Sequence, residues 1–396
     1  MPRTLDDLDA EGAAVGVRVD INSPLTDEGT LADDARLRAH VDTVAELCDR
    51  GARVVVLAHQ GRPGGDEFTT LAPHADRLDE LLAAPVDYCD ATFSAAARER
   101  VRDLPNGGVL MLENTRFYSE EYMEWGPEQA AETHLVAKLS PVLDAYVNDA
   151  FAAAHRAQPS LIGFPGRLPS YAGRVMEAEL DVLGRIDETP TPRVYVLGGA
   201  KVTDSIDVAR SVLQRGLADA VLVAGIVGNA FLLADGVTLG AASAEVVNDR
   251  STEAVKRAGD LLDEFGHRIY LPRDVAVERA GERVELGIDD LPTEESAMDI
   301  GARTVAAYAD VLEDAGTAIL NGPAGVFEAE AFAYGTRELY EAATRIERSI
   351  VGGGDTTAAL RDLGIDGFSH VSTGGGAALR MLTDGTLPAV DALERE

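Results

Sequence analysis

The sequence predicts an α/β protein made of two doubly wound parallel-sheet domains, joined by a helix and able to close as a hinge. Three observations carry that expectation. Short apolar runs alternate with amphipathic helical stretches along the whole chain, the pattern of parallel strands covered by helices on both faces. At 396 residues the chain exceeds what one hydrophobic core usually holds. The segment Asp187-Glu188-Thr189-Pro190-Thr191-Pro192 reads as a linker, after which the pattern restarts.

The elements follow in order. Residues 15–20 form an apolar strand with a polar end, and residues 36–50 place Leu37, Val41, Val44 and Cys48 at helical spacing before Gly51 stops the helix. Then come a strand at 53–58, a helix at 71–82, a strand at 109–112, a helix at 128–139 and a strand at 145–147. An amphipathic helix over 171–186 leads into the linker. Beyond it, strands are expected at 194–197, 220–223, 268–271, 317–320, 349–351 and 369–372.

Composition narrows the function classes. Apolar residues at 46% exclude intrinsic disorder. The longest mostly apolar run, 220–234, is too short to cross a bilayer, where about 20 residues are needed. The N-terminus has no apolar signal core, so a cytoplasmic protein without membrane partners is expected. Cys48 and Cys89 lack metal spacing and read as small core or surface residues. The net charge of −33, with only Lys138, Lys201 and Lys256 as lysines, disfavours a nucleic-acid partner. Spread along the whole chain, that charge suits a salt-rich cytoplasm, where screening makes self-repulsion tolerable; an acidic enzyme from a GC-rich genome is the alternative.

Four glycine turns follow strands in the second half. Val351-Gly352-Gly353-Gly354-Asp355-Thr356-Thr357 stops a strand at three glycines, a carboxylate and two hydroxyls at a helix start. The glycines admit a close ligand, the helix start offers N–H groups to an anion, and Asp355 suits a hard divalent cation bridging to phosphate. Gly198-Gly199-Ala200-Lys201, Ala224-Gly225 to Gly228, and Gly374-Gly375-Gly376 are the others. Lys201 reads as a point charge on a phosphate or as a surface lysine paired with Asp204. Asn321-Gly322-Pro323 with Glu328 supplies either a carboxylate for ribose hydroxyls or a plain turn with a solvated glutamate. Neither G-x-x-x-x-G-K-[ST] nor a strand-following G-x-G-x-x-G is present, which disfavours a dehydrogenase.

The first half gathers cations at strand ends. Arg36 opens a helix, His59 and Arg62 follow a strand, Arg116 follows Leu112-Glu113-Asn114-Thr115, and His155-Arg156 follow Asp149-Ala150-Phe151. In so acidic a chain these suggest a small, multiply charged anion gripped by planar guanidinium forks. Asp20 and Asn22 end the first strand beside that place, or serve as caps. An anion on one domain and a metal–nucleotide on the other point to phosphoryl transfer across a closing cleft. A hinge-closing binding protein without catalysis is the rival class; ADP release from Mg·ATP and the acid substrate separates the two.

These residues resemble the phosphoglycerate kinase family over essentially the whole chain. The resemblance rests on Val17-Arg18-Val19-Asp20-Ile21-Asn22, His59-Gln60-Gly61-Arg62-Pro63, Leu112 to Phe117, Val147 to Ala157, Leu197 to Val202, Asp299-Ile300-Gly301, Asn321 to Glu328, Gly352 to Thr356 and Ser372 to Gly376. It implies a salt-adapted, archaeal-like member acting as a monomer. A 3-phosphoglycerate site is implied at Asp20, Asn22, Arg36, His59, Arg62, Arg116 and Arg156. An ATP/ADP site is implied at Gly199, Ala200, Lys201, Asn321, Pro323, Glu328, Gly352, Gly353, Gly354, Asp355 and Thr356, with Mg2+ on Asp355. Arg36, Lys201 and the amides near Gly353 and Gly375 would carry the charge of the moving phosphoryl group. The implied division is an acid-binding domain at 1–170, an interdomain helix at 171–186, a nucleotide domain at 187–373, and a segment 374–396 packing back on the first domain. Ser205 stands where many members carry a second lysine, and Ala152, Ala153, Gln158 and Pro159 also depart from the common pattern. The acceptor carboxylate is ionised at neutral pH, so no general base is needed, and His59 and His155 are expected as anion contacts or structural hydrogen bonds.

Overall fold

The computed structural model describes residues 1–26 and 28–395. The chain divides into two compact units, one formed by Met1–Gly184 with Thr386–Glu396, the other by Arg185–Gly385.

The first unit holds β1 (Ala14–Arg18), β2 (Arg53–Leu57), β3 (Val86–Cys89), β4 (Val109–Leu112), β5 (Ala145–Asn148) and β6 (Ser170–Ala172). They form one parallel sheet in the order β3-β4-β2-β1-β5-β6. Its central strands are unbroken apolar runs because helices cover both faces: Val54, Val55, Val56 and Leu57 are all fully buried. The chain moves outward from β1 through β2 on one side and through β5 on the other, so the strand order reverses between β1 and β5. In open α/β sheets that reversal opens a crevice at the carboxyl ends of the strands.

The second unit repeats the plan with β7 (Arg193–Leu197), β8 (Ala220–Val223), β9 (Ile269–Tyr270), then β10 (Asp274–Arg279), β11 (Glu282–Gly287), β12 (Ala297–Ile300), β13 (Thr317–Asn321), β14 (Arg348–Gly352) and β15 (His370–Val371). Its six-stranded parallel sheet runs β15-β14-β13-β7-β8-β9, reversing between β7 and β13. The expected α/β class with two doubly wound parallel sheets is therefore what the structure has.

Several elements differ from the sequence reading. β3 is an edge strand whose Asp87 is exposed, so it lacks the apolar run of a central strand. Strands β10, β11 and β12 form a separate antiparallel sheet in the order β11-β10-β12, and none of the three was expected. Its signal is faint in the sequence: Val275 and Val277, then Val284 and Leu286, recur at every second position on either side of a two-residue turn, Ala280 and Gly281, both at positive φ (56° and 83°). The helix expected at 36–50 is two helices, Ala35–Ala39 and Val41–Asp49, meeting at His40. That expected at 128–139 is Pro127–Ala131 and His134–Leu139.

The helix expected over 171–186 begins only at Arg174 and ends at Leu183, since 170–172 pairs with β5 as β6. The chain rejoins the first unit at Thr386, not 374. The helix Gly376–Asp384 stays with the second unit because Ser211 Oγ and Arg215 Nη1 donate to the carbonyls of Thr383 and Leu382. Past it, the helix Pro388–Leu393 buries Ala389, Ala392 and Leu393, and the Ala389 N–H bonds the Ala154 carbonyl. Cys48 and Cys89 are buried free thiols.

Candidate functional site

At the reversal point of the first sheet, the carboxyl end of β1 delivers Arg18 and Asp20, both buried. The turn after β2 delivers His59 to Arg62, and the turn after β4 delivers Arg116. One amide ties these turns together: Asn114 Oδ1 accepts the N–H groups of Gln60 and Arg116, while its Nδ2 donates to the carbonyls of Gln60 and Thr69. Asn22 Oδ1 accepts the Gly61 N–H at 2.8 Å, so Asn22 joins β1's exit to the same turn.

The result is a group of cations with little carboxylate to answer them. Arg36 meets Asp20 at 3.2 Å and is half exposed. Burial works against ionising Asp20. The cations around it outweigh that, Arg36 and Arg18 foremost since His59 is itself neutral, and hold it well below the usual carboxylate range. Arg62 is exposed. Arg116 is 4% exposed; its Nη1 donates to the Gly61 carbonyl at 2.7 Å, and its Nε has no acceptor among the described residues. Burial, then the repulsion of Arg156 and Arg18, brings its pKa down to about 10. Arg156 donates only a 3.3 Å bond to His155, and its buried Nη1 lacks an acceptor among the described residues. Burial lowers its pKa too, Asp20 opposing and Arg18, Arg62 and Arg36 adding to the fall. Buried N–H groups are nearly always paired, so these cations await an anion.

His59 is buried, and Arg18 donates to its Nδ1 at 2.7 Å. A guanidinium only donates, so Nδ1 is an acceptor and the neutral ring carries its proton on Nε2. Burial and Arg18 push its pKa well below the ordinary value, Asp20 opposing. While Nδ1 accepts from Arg18, the ring is not an imidazolium.

His74 behaves alike at the outer edge of the group. It is buried and bonds Gln60 Oε1 at 3.1 Å, and burial depresses its pKa to about 4 against the pull of Ile21 and Glu113. Its unfolded value is about 6.5. The stability its neutral form contributes is whole above pH 6.5 and is lost as pH falls toward 4. Urea unfolding of the protein and its His74→Gln variant should therefore show their free-energy difference shrinking by about 2 kcal/mol between pH 7 and 4.5. A constant difference would mean that His74 titrates alike in the folded and unfolded chain, and that burial does not depress it.

At the reversal point of the second sheet, the turns after β7 and β13 cross. Gly198 N–H bonds the Asn321 carbonyl and Gly199 N–H bonds that of Pro323, at 2.9 and 2.8 Å. A Cβ at Gly198 would lie 2.4 Å from the Pro323 oxygen, so only glycine lets the backbones meet. The helices Val202–Gln214, Gly354–Leu363 and Gly376–Asp384 begin around a cleft of about 230 Å³. Their caps are Lys201, Gly353 and Gly375, and none supplies a side-chain bond to the first turn. The N–H groups that capping would consume thus face the cleft, where an anion can take them. Lys201 Nζ lies 3.6 Å from Asp355 Oδ2, not on Asp204, and both side chains are more than half exposed.

Thr356 is fully buried and its hydroxyl accepts the Gly322 N–H at 2.8 Å, so it fastens the turn. Asn321 sits against Gly353, whose added Cβ would stand 3.3 Å from Asn321 Oδ1. Gly199, Ala200, Lys201 and Asp355 also border a second, more apolar cleft of about 480 Å³ with Pro323, Val326, Phe327 and Glu328. Asp299 holds that loop from beneath, accepting from Ile300 N, Gly335 N and Arg283 at 2.8–2.9 Å; burial lifts its pKa to about 6 despite those bonds. Among the described residues no three His, Cys, Asp or Glu side chains cluster to hold a metal. A single carboxylate suits a cation held chiefly by phosphate oxygens and water, as Mg2+ is. Gly352 and Gly354 complete the turn around Asp355.

The structure thus gathers Asp20, Asn22, Arg36, His59, Arg62, Arg116 and Arg156 in one unit, and the glycine turns with Lys201 and Asp355 in the other. It adds Arg18, which sequence reasoning passed over. Its signal was a charged residue inside an otherwise apolar strand, a position that demands buried partners.

Chemistry of this kind defines a phosphotransferase acting on small anions. Comparison with known proteins gives the particular family. The phosphoglycerate kinase family model matches residues 5–385. The phosphoglycerate kinase of Natronomonas pharaonis is 73% identical over 99% of this chain and its own full length. That of Halobacterium salinarum is 65% identical over 99% of both chains. A crystal structure of the Pyrococcus horikoshii enzyme superposes with a TM-score of 0.90 at 42% identity, covering 99% of this chain and 98% of the other. The Coxiella burnetii structure gives 0.82 at 33%, covering 99% of each. The chain belongs to the phosphoglycerate kinase family. Its reaction is reversible phosphoryl transfer between ATP and the carboxylate of 3-phosphoglycerate, and its acidic, lysine-poor composition marks it as a halophilic member. No helix among the described residues is long and apolar enough to cross a membrane.

Proposed function

We propose that the arginine pocket of the first unit holds 3-phosphoglycerate and that the glycine cleft of the second holds ATP or ADP with Mg2+. The observation that carries the assignment is a pair of buried guanidinium nitrogens, Arg116 Nε and Arg156 Nη1, whose N–H groups meet no acceptor among the described residues. Phosphate and carboxylate oxygens of one small acid supply those acceptors, with Asn22, His59 Nε2–H and Arg62 around them. Asp20 keeps its charge and holds Arg36 by its guanidinium at the pocket's mouth.

In the second unit the open N–H groups beside Gly353 and Gly375, with Lys201, face the phosphates. Gly199, Ala200 and Pro323 surround the base, and Glu328 accepts from the ribose. Asn321, Gly352, Gly354 and Thr356 shape the turn. Asp355 would hold Mg2+, which when bound neutralises phosphate charge. No residue need remove a proton, since the acceptor carboxylate is already ionised. Catalysis is then alignment plus charge stabilisation, Arg36, Lys201 and the two amides meeting the transferred group. A cytoplasmic monomer is part of the same reading; a sedimentation mass other than 41.9 kDa would reject the monomer, and recovery with membranes on fractionation would reject the location.

Calorimetry tests the nucleotide half. Asp355→Asn should weaken Mg·ADP binding by about tenfold or more, while metal-free ADP binds equally well or better because a like charge has gone. Equal Mg·ADP affinity in protein and variant would remove Asp355 as the metal group.

A further inference from the structure

Arg18 is wholly buried at the end of β1, yet among the described residues no carboxylate pairs with it. Its Nε donates to Ser160 Oγ at 2.9 Å, its Nη2 to His59 Nδ1 at 2.7 Å, and its Nη1 to the Val19 carbonyl. Ser160 is in turn clasped by one carboxylate. Its N–H donates to Glu121 Oε1 and its hydroxyl to Oε2, each at 2.7 Å, and Glu121 is itself fully buried.

Every link has one possible direction. The guanidinium cannot accept, so the Ser160 oxygen accepts from it and must give its single proton to Glu121. The same logic makes His59 Nδ1 an acceptor. A buried cation needs an opposite charge, and Glu121 supplies it from one hydroxyl away. A direct Arg–Glu fork would consume two guanidinium N–H groups; the serine spacer leaves Nη2 for His59.

Resting on the assignment of this pocket to 3-phosphoglycerate, we propose that Glu121 and Ser160 are positioning residues for it. Glu121 aims the Ser160 hydroxyl, Ser160 anchors Arg18, and Arg18 fixes His59 as the tautomer that presents Nε2–H to the acid substrate. Neither residue touches the substrate. A carboxylate near an anion pocket would weaken binding if it acted by charge alone, so its use must be geometric.

The test pairs kinetics with nitrogen NMR of His59. Ser160→Ala removes the hydroxyl and strands two buried charges from each other. KM for 3-phosphoglycerate should rise about tenfold while kcat and KM for ATP stay within about twofold. The His59 spectrum, a single Nε2–H tautomer in the parent protein, should become a mixture, and Ser160→Thr should restore both readouts. An unchanged KM in a folded Ser160→Ala variant overturns the relay. Should that variant not fold, the parent alone decides, since a proton found on His59 Nδ1 breaks the chain at its last link. The pocket assignment fails separately: it falls if Arg156→Met also leaves KM for 3-phosphoglycerate unchanged, whereas a raised KM there with none in Ser160→Ala removes only the relay.

Discussion

Lys201→Ala should lower kcat by about two to three orders of magnitude while moving the unfolding midpoint hardly at all. The two halves of that expectation come from the same geometry. Lys201 is well exposed, and its only ion pair among the described residues is a 3.6 Å contact with an equally exposed Asp355. Pairs of that kind add little to stability, roughly 0–1 kcal/mol, and less in salt. The same ammonium stands among helix starts that carry no side-chain caps, where, on the assignment proposed above, the transferred group would gather negative charge. Removing one such preorganised charge costs about 10²–10³ in rate in enzymes that use it. Nucleotide affinity should fall much less than kcat, because the backbone N–H groups proposed to bind ground-state phosphates stay in place. Steady-state kinetics beside a urea melt decide the matter. A kcat within threefold of the parent would make Lys201 a surface residue, and a large loss of stability would make it a structural one.

The sheets were legible because parallel strands buried on both faces leave unmistakable apolar runs, as at Val54–Leu57 and Val194–Leu197. The antiparallel sheet was not, because β11 buries no residue fully and the hairpin ends carry Glu278, Arg279, Glu282 and Arg283, which reads as loop until the Ala280-Gly281 turn is noticed. The candidate site shows the same divide. Arg36, His59, Arg116 and Arg156 announced themselves as basic residues at strand ends and turns in an acidic chain. The groups that hold them in place did not. Glu121 is one acid among 68, and Ser160 an ordinary serine after a proline. Only the folded chain brings Glu121, 39 residues away, onto the Ser160 hydroxyl. Lys201 shows the limit within a single turn: sequence proximity offered Asp204 as its partner, and folding supplied Asp355.

Arg156→Met should raise KM for 3-phosphoglycerate by about 100-fold and, in the same molecule, make the ligand-free protein more stable by about 1 kcal/mol. Arg156 is a half-buried cation, its Nη1 buried and unpaired among the described residues, with a 3.3 Å bond to His155. Burial and the neighbouring Arg18, Arg62 and Arg36 all disfavour its charge, and Asp20 offsets them only in part. Methionine has nearly the same reach, keeps the apolar contacts of the stem, and abolishes no backbone bond. Without substrate, the substitution relieves repulsion. With substrate, it removes a charge-assisted fork that the acid would have filled. The stabilisation should shrink as salt is added, since it comes from relieved repulsion between charges that salt screens. Binding arms of this kind are destabilising until occupied, so 3-phosphoglycerate should stabilise the parent and fail to stabilise the variant at the same concentration. Urea melts with and without the acid, at low and molar salt, make the comparison. A variant that is less stable than the parent while binding the acid equally well would show Arg156 to be holding the fold, not waiting for an anion.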